Sequence, residues 1–324
     1  MSLINQLNAT TEYYWANTEP EDIVNKASAL LWKLMGNAIK KDNWEVKPHE
    51  IVDGGLMIKV PLEYAASNSG GYGPTTVINQ SKVNIIDAAR FPWKGAYGSN
   101  TLNLDDLTQN TGDAAIIALT KQYMASIKKS IRTALAADVI AASVGDKING
   151  LGDLFTSATS TEYGSIAEDD MADWKTNHIT TTEAISFEVM QKIFREPNMG
   201  EFAGTIPNFC VTTPTLRDGY ERSLHPQQRY QMGSMVEAGW DNILHKQAPI
   251  VGDPYVSSGV LLALNLNFLS LRAHKDYNFT TPVWVAKTVL GQPDIISANT
   301  RFRGNLICSN RKMQVKHSNL TEPS

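Results

Sequence analysis

Cysteine is nearly absent from this 324-residue chain: only Cys210 and Cys308 are present, far apart and outside any CxxC spacing. That excludes a disulfide framework and a cysteine-based zinc site, and it suits a reducing compartment. Both thiols lie in apolar runs of strand character, FCV and LIC, where a buried, inert cysteine is the ordinary state. Long hydrophobic runs are missing too. No stretch of 18 or more apolar residues occurs, and the opening MSLINQLNATTEYYW lacks the basic-then-apolar order of a signal peptide, so the sequence predicts a cytosolic protein with no membrane contact. Nor is there an excess of positive charge. With 29 Lys and Arg against 33 Asp and Glu, the formal net charge is −4, which argues against a surface built to neutralise many phosphates and read a nucleic-acid sequence.

Signatures of catalysis are lacking as well. The six histidines, His49, His178, His225, His245, His274 and His317, show no HxxxH or HExxH spacing and read as surface or packing residues. Neither a GxSxG elbow, a GxGxxG fingerprint nor a GxxxxGK[ST] loop occurs, and the nearest glycine cluster, GGYG at 70–73, reads as a flexible tip between strands. The chain is therefore read as a non-enzyme, with no catalytic residues, no cofactor-binding residues and no metal ligands assigned.

What is present is a chain able to fold. Hydrophobic residues make up 42% and charged residues 19%, near globular averages, and the length favours two subdomains or one elongated domain with appendages. After a polar, aromatic start, Ile23, Ala27, Leu30, Leu31, Leu34 and Ile39 recur at near-helical spacing, with Thr18 and Pro20 ahead of them as start signals and Gly36 as a weak point. LMIKVPLEYAA at 56–66 and VINQSKVNIIDAARF at 77–91 alternate partly, and the turn-rich SNSGGYGPTT lies between them. This predicts a long hairpin of roughly 35 Å at about 3.3 Å per residue. Pro61 on its first strand points to an unpaired edge. Isolated hairpins are marginal in water, so something must cover this one.

The segment PWKGAYGSNTLNLDDLTQNTGD reads as a loop. Beyond it, Ile116, Leu119, Tyr123, Ile127, Ile131, Leu135 and Val139 form one apolar stripe on a helix expected from about Asn110 to Ser143, some 50 Å long at about 1.5 Å per residue. Lys121, Lys128, Lys129 and Arg132 mark its polar face. A third helix is expected over Thr182–Arg195, then the strand-like runs NFCVTTP and APIVGDP with the helical TLRDGYERSL after the first, and finally VLLALNLNFLSLRA and RFRGNLICSNRKMQVKH. This order gives an α+β class.

The ordered series resembles the tailed-bacteriophage major capsid proteins of the Hong Kong 97 type, over nearly the whole chain. LDDLTQNTGDAAIIALTKQYMASIKKSIRTALAADVI is similar to the family's spine helix, NGLGDLF to the glycine turn after it, and TEYGSIAEDDMADWKT to its loop-plus-tryptophan segment. PNFCVTTPTLRDGYERSL resembles a strand–helix unit, while QAPIVGDPYVSSGVLLALNLNFLSLRAH and FRGNLICSNRKMQVKH resemble the closing strands. The resemblance implies an N-terminal arm over 1–53, an extended hairpin loop over 54–96, a peripheral subdomain with the spine helix over 97–165 and 298–324, and an axial subdomain over 166–297. It also implies a structural protein of the virion. Self-assembly as pentamers and hexamers would build an icosahedral capsid around double-stranded DNA, within the host bacterial cytoplasm.

The implied partners are further copies of the chain, a possible separate scaffolding protein, portal and decoration proteins, and packaged DNA touched without sequence preference. Because the arm starts at Met1, either a separate scaffold helps assembly or none is needed. Lys59 and Lys82 lie on the expected hairpin, but no cross-linking set is assigned. Two charged clusters keep more than one reading. Glu168, Asp169, Asp170 and Asp173 form either a solvated loop, a partner for a neighbour's basic residues, or a cation site without the pattern of a calcium loop. Arg301, Arg303, Arg311, Lys312 and Lys316 either touch packaged DNA or make inter-subunit salt bridges. The alternative overall reading is an encapsulin-type nanocompartment shell, and an unrelated soluble enzyme comes third.

Overall fold

The computed structural model describes residues 28–35, 51–65, 67–75, 77–103, 105, 113–156, 162–169, 171, 174–198, 206–224, 241–280, 285–286 and 295–323. Residues 1–27 and 36–50 of the arm expected over 1–53, which hold the continuation of its helix to Ile39 and His49, lie outside the described residues, as do His225, Asp170 and Asp173. What remains of the first helix is α1 (Ala29–Leu34), capped by the Ser28 hydroxyl, which accepts from the Leu31 amide at 3.3 Å. Ser28 in turn donates to the buried carboxylate of Asp253 at 2.5 Å, tying the segment to a residue 225 positions away.

Strand β1 (Ile51–Val52) precedes the expected hairpin, formed by β2 (Met57–Glu63) and β3 (Ile86–Pro92) in antiparallel register from Met57↔Pro92 to Glu63↔Ile86. The second strand starts nine residues later than the alternation suggests. Residues 77–85 are almost all exposed and have no strand partner among the described residues, so their β propensity goes unused there. The stretch expected as a loop after Pro92 contains β4 (Lys94–Asn103), paired with ten consecutive residues of β13 (Ile295–Cys308). Its Gly, Ser and Asn content hides the strand because β propensity is low there. The small residues serve close packing instead: a Cβ on Gly98 would stand 2.8 Å from the Ile127 carbonyl of the long helix crossing it.

That helix, α2 (Asp113–Ile140), has 28 residues, about 42 Å at 1.5 Å per residue. It ends at Ile140, before the expected Ser143, and residues 110–112 at its expected start lie outside the described residues. It buries Ile127, Ile131, Leu135, Ala136 and Val139. Asp138, also buried, meets Lys147 at 3.1 Å. The glycine turn is one helical turn, α3 (Leu151–Leu154), whose Asp153 carboxylate accepts the amides of Ser143 and Gly150. Strands β5 (Asn177–Ile179) and β6 (Glu183–Ala184) follow, and the third expected helix begins late, as α4 (Phe187–Arg195), because Ser186 caps it through the Val189 amide. Then come β7 (Phe209–Thr212), α5 (Pro214–Ser223), β8 (Asn242–His245), β9 (Ala248–Gly252), β10 (Leu261–Leu264), β11 (Leu269–His274) and β12 (Val285–Ala286). After β13 the chain closes with β14 (Val315–His317) and β15 (Leu320–Thr321).

Two sheets organise the described residues. One is ordered β1-β11-β13-β12 with β4 also on β13, and the other β5-β14-β10-β7-β9-β8. The run VLLALNLNFLSLRA divides between them, because the turn closed by Phe268 N–H to Asn265 C=O sends β10 into one sheet and β11 into the other. Strand β14 lies with β5 and β10, so the sheets interleave along the chain instead of following contiguous ranges. The six-stranded sheet is buried on both faces. Phe209, Val211, Leu262 and Leu264 enter the larger core with α1 and α2, while Cys210, Leu261 and Ala263 enter a second core with α4 and α5. Burial on both faces explains why FCVT and LLAL read as continuous apolar runs.

Candidate assembly interface

One face of the hairpin is finished within the subunit. Ile58, Val60 and Leu62 alternate inward on β2, and Ala89 and Phe91 do so on β3. The turn at 163–166 covers them: the Tyr163 ring meets Phe91 edge-on at 5.1 Å, and the Arg90 amide donates to the Gly164 carbonyl at 2.8 Å. Gly164 has a φ of +64° and sits where a Cβ would stand 2.9 Å from the Ala89 side chain, so glycine is required twice over.

The rest of the hairpin is open. Seven of the ten large hydrophobic residues exposed among the described residues fall between 56 and 86: Leu56 (91%), Met57, Tyr72 (80%), Val77 (93%), Ile78, Val83 and Ile86. Past Glu63 and Ile86 the two limbs continue without strand pairing, held by contacts such as Asn68 Nδ2 to the Ser81 carbonyl at 2.6 Å. Apolar residues gathered on an extended arm are the mark of a surface made for contact with another molecule. Lys59 and Lys82 are exposed on this arm.

A second feature faces outward from the five-stranded sheet. Trp93, Lys94, Tyr97, Tyr277, Arg301 and Arg303 line an open groove of about 630 Å³, with Asp146 also on its wall. Arg301 stands across from Tyr97 and Arg303 from Gly95 in the strand register, so two alternate residues of β13 put cations on one face beside Lys94. The C-terminal basic cluster is thus divided. Arg301 and Arg303 are exposed here, whereas Arg311 is fully inside.

Burial corrects the readings of both charged clusters. Arg311 donates to the carbonyls of Leu154 (2.8 Å), Thr156 (3.3 Å) and Trp174 (3.1 Å) and forms an ion pair with Glu168 at 3.0 Å. Neither DNA nor a neighbouring subunit can reach it. Glu168, expected in a solvated loop or facing a neighbour, is buried and serves this chain's own arginine. Among the described residues, no three His, Cys, Asp or Glu side chains gather as a metal site. No described helix is long and apolar enough to cross a membrane.

Both cysteines are buried, and burial pushes the Cys308 thiol up to about 12 and that of Cys210 higher still, leaving both as packing groups. His245 and His317 are buried, and His178 is half-buried, bonded to Ser318 Oγ at 2.8 Å. No sequence motif marks the hairpin's exposed apolar residues or the groove. The signal available was the hairpin's partial alternation together with its lack of a covering element.

No family model and no curated protein matches the sequence. Solved structures do match. The capsid asymmetric unit of cyanophage A-1(L) superposes with a TM-score of 0.67 at 12% identity, covering 94% of this chain and 96% of that one. The capsid of an empty GTA particle gives 0.58 at 12% identity, covering 96% and 98%. The capsid of the Myoviridae phage XM1 gives 0.52 at 10% identity, covering 94% and 96%. The chain has the tailed-phage capsid fold, α+β throughout, and it spans nearly the full length of these subunits.

Proposed function

We propose that this protein is the major capsid protein of a tailed bacteriophage, a non-enzymatic subunit that assembles as pentamers and hexamers into an icosahedral shell around double-stranded DNA. The observation that carries the reading is the hairpin, which projects seven large apolar residues while the chain has the fold of capsid subunits. A monomer gains nothing from that exposure. A neighbour that covers it turns it into an interface, and specific interfaces bury roughly 1,600 Å² in total, with apolar area contributing roughly 25 cal/mol per Å² before entropic costs. The groove beside Arg301 and Arg303 is a concave surface of the kind such a contact fills.

On this reading α2 is the spine of a peripheral subdomain, expected over 97–165 and 298–324, and the six-stranded sheet belongs to the axial subdomain, expected over 166–297, with β11, β12 and β14 crossing those bounds. Residues 1–53 are the arm. Assembly takes place in the host cytoplasm with a portal and, where present, scaffolding and decoration proteins. DNA contact is nonspecific on this reading, in keeping with a net charge of −4 that provides no dense phosphate-neutralising surface.

Electron microscopy of the purified protein tests this. Closed particles or five- and six-membered rings are expected, and particles recovered from infected cells should contain double-stranded DNA. A stable monomer showing no assembly at any concentration would overturn the proposal. Shells filled with a protein cargo and free of DNA would replace it with the nanocompartment reading.

A further inference from the structure

We infer that the buried Arg311 cluster positions the assembly hairpin, with Tyr163 as the residue that passes the constraint from one to the other. The inference rests on the hairpin being the assembly arm.

Two anchors hold β3 at the base of the hairpin, and Trp93 Nε1 donates to the Gly55 carbonyl at 2.8 Å below β2. Asn305 Nδ2, on β13, donates to the Pro92 carbonyl at 3.0 Å and fixes where β3 leaves the sheet. One and two residues further out, the turn at 163–166 takes hold through Arg90 N–H to Gly164 C=O and through Phe91 against Tyr163. One anchor sets position, and two set direction. The tilt of the arm therefore depends on what holds that turn.

The turn has little of its own to hold it. Tyr163 and Ile166 make an isolated two-residue bridge, and Gly164 and Ser165 both have positive φ. Its rigidity comes from beneath. The Arg311 guanidinium lies 5.1 Å from the centre of the Tyr163 ring and 6.0 Å from that of Trp174, whose indole N–H donates to the Tyr163 carbonyl at 3.0 Å. Glu168, two residues past the bridge, neutralises the same guanidinium. A planar guanidinium with donors on several carbonyls keeps a fixed orientation, as a lysine at this position would not. Among the described residues, Tyr163 is the one side chain whose ring meets both Arg311 and Phe91. A fixed arm angle matters to a shell because it sets the curvature between neighbours.

The test compares Tyr163→Leu, which removes the ring, with Tyr163→Phe, which keeps it. Amide hydrogen exchange on the unassembled full-length chain should show Arg90 and its β3 neighbours exchanging at least tenfold faster in Y163L. The amides of Phe209–Thr212 should be unchanged, and Y163F should match the wild type. Under assembly conditions Y163L should give fewer particles, or particles of scattered diameter, where Y163F gives the wild-type product. Three results would overturn the inference: an equally protected Arg90 amide in Y163L, a loss of protection reaching Phe209–Thr212, or a loosened hairpin that still builds wild-type particles. Failure of the wild-type chain to assemble would instead refute the capsid reading, and the exchange result on the single chain would still stand.

Discussion

His245 shows what burial does to a single titratable side chain. Its Nδ1 is 2.8 Å from the Tyr220 hydroxyl, and the rings of Phe194, Phe187 and Tyr220 stand 4.8, 5.3 and 6.1 Å from it. Burial, with Lys246 adding to it, lowers its pKa from 6.5 to about 4, and burial lowers those of His178 and His317 too. Between these pH values the unfolded chain binds the proton and the folded chain does not, so stability present above pH 6.5 is lost as the pH falls toward 4. The loss at His245 is on the order of 2–3 kcal/mol. Thermal unfolding followed by circular dichroism should give a midpoint that falls steadily from pH 7 to pH 4.5. In His245→Gln the midpoint should start lower at pH 7 and decline less steeply. A variant that declines as steeply as the wild type would remove His245 from the account. Spacing alone offered no helical metal pair among the histidines, and it put Cys210 in an apolar run of strand character. It could not show that Arg311 is internal, because the carbonyls that hold it lie 137 to 157 positions earlier in the chain.

At the scale of elements, periodicity found α2, α5, β7, β9 and the two limbs of the hairpin, since each carries its burial pattern in consecutive residues. It missed β4, where glycine and asparagine serve the approach of α2 and the ten-residue ladder with β13 supplies what propensity does not. It overran β3, because Val77, Ile78 and Val83 have strand-forming side chains and no strand to pair with among the described residues. Those residues give the hairpin its own prediction. Val77→Asp with Ile78→Asp replaces two exposed side chains that the subunit's fold does not use, so its stability in urea should change by no more than about 0.5 kcal/mol. Particle yield should drop at least tenfold, measured by sedimentation of the assembly reaction. Full yield from the double variant would mean that the arm's apolar tip is not part of the contact.

Across the described residues, the six-stranded sheet is the shared wall of two cores, so the body of the subunit is braced from both sides while the arm is braced at its base. A contact made by the arm should therefore alter the arm's protection far more than the body's. Trypsin can report this, since Lys82 lies in an exposed segment without strand pairing and proteases select such segments. In the unassembled chain, cleavage at Lys82 should come early and give two fragments, 1–82 and 83–324, that stay associated because α1 and β2 pack into the larger core. In the particle, cleavage there should slow at least tenfold, because cutting would first require the neighbour's contact to open. Equal cleavage rates in the two states would leave the arm uncovered in the shell and would require its apolar residues to meet something other than another copy of the chain.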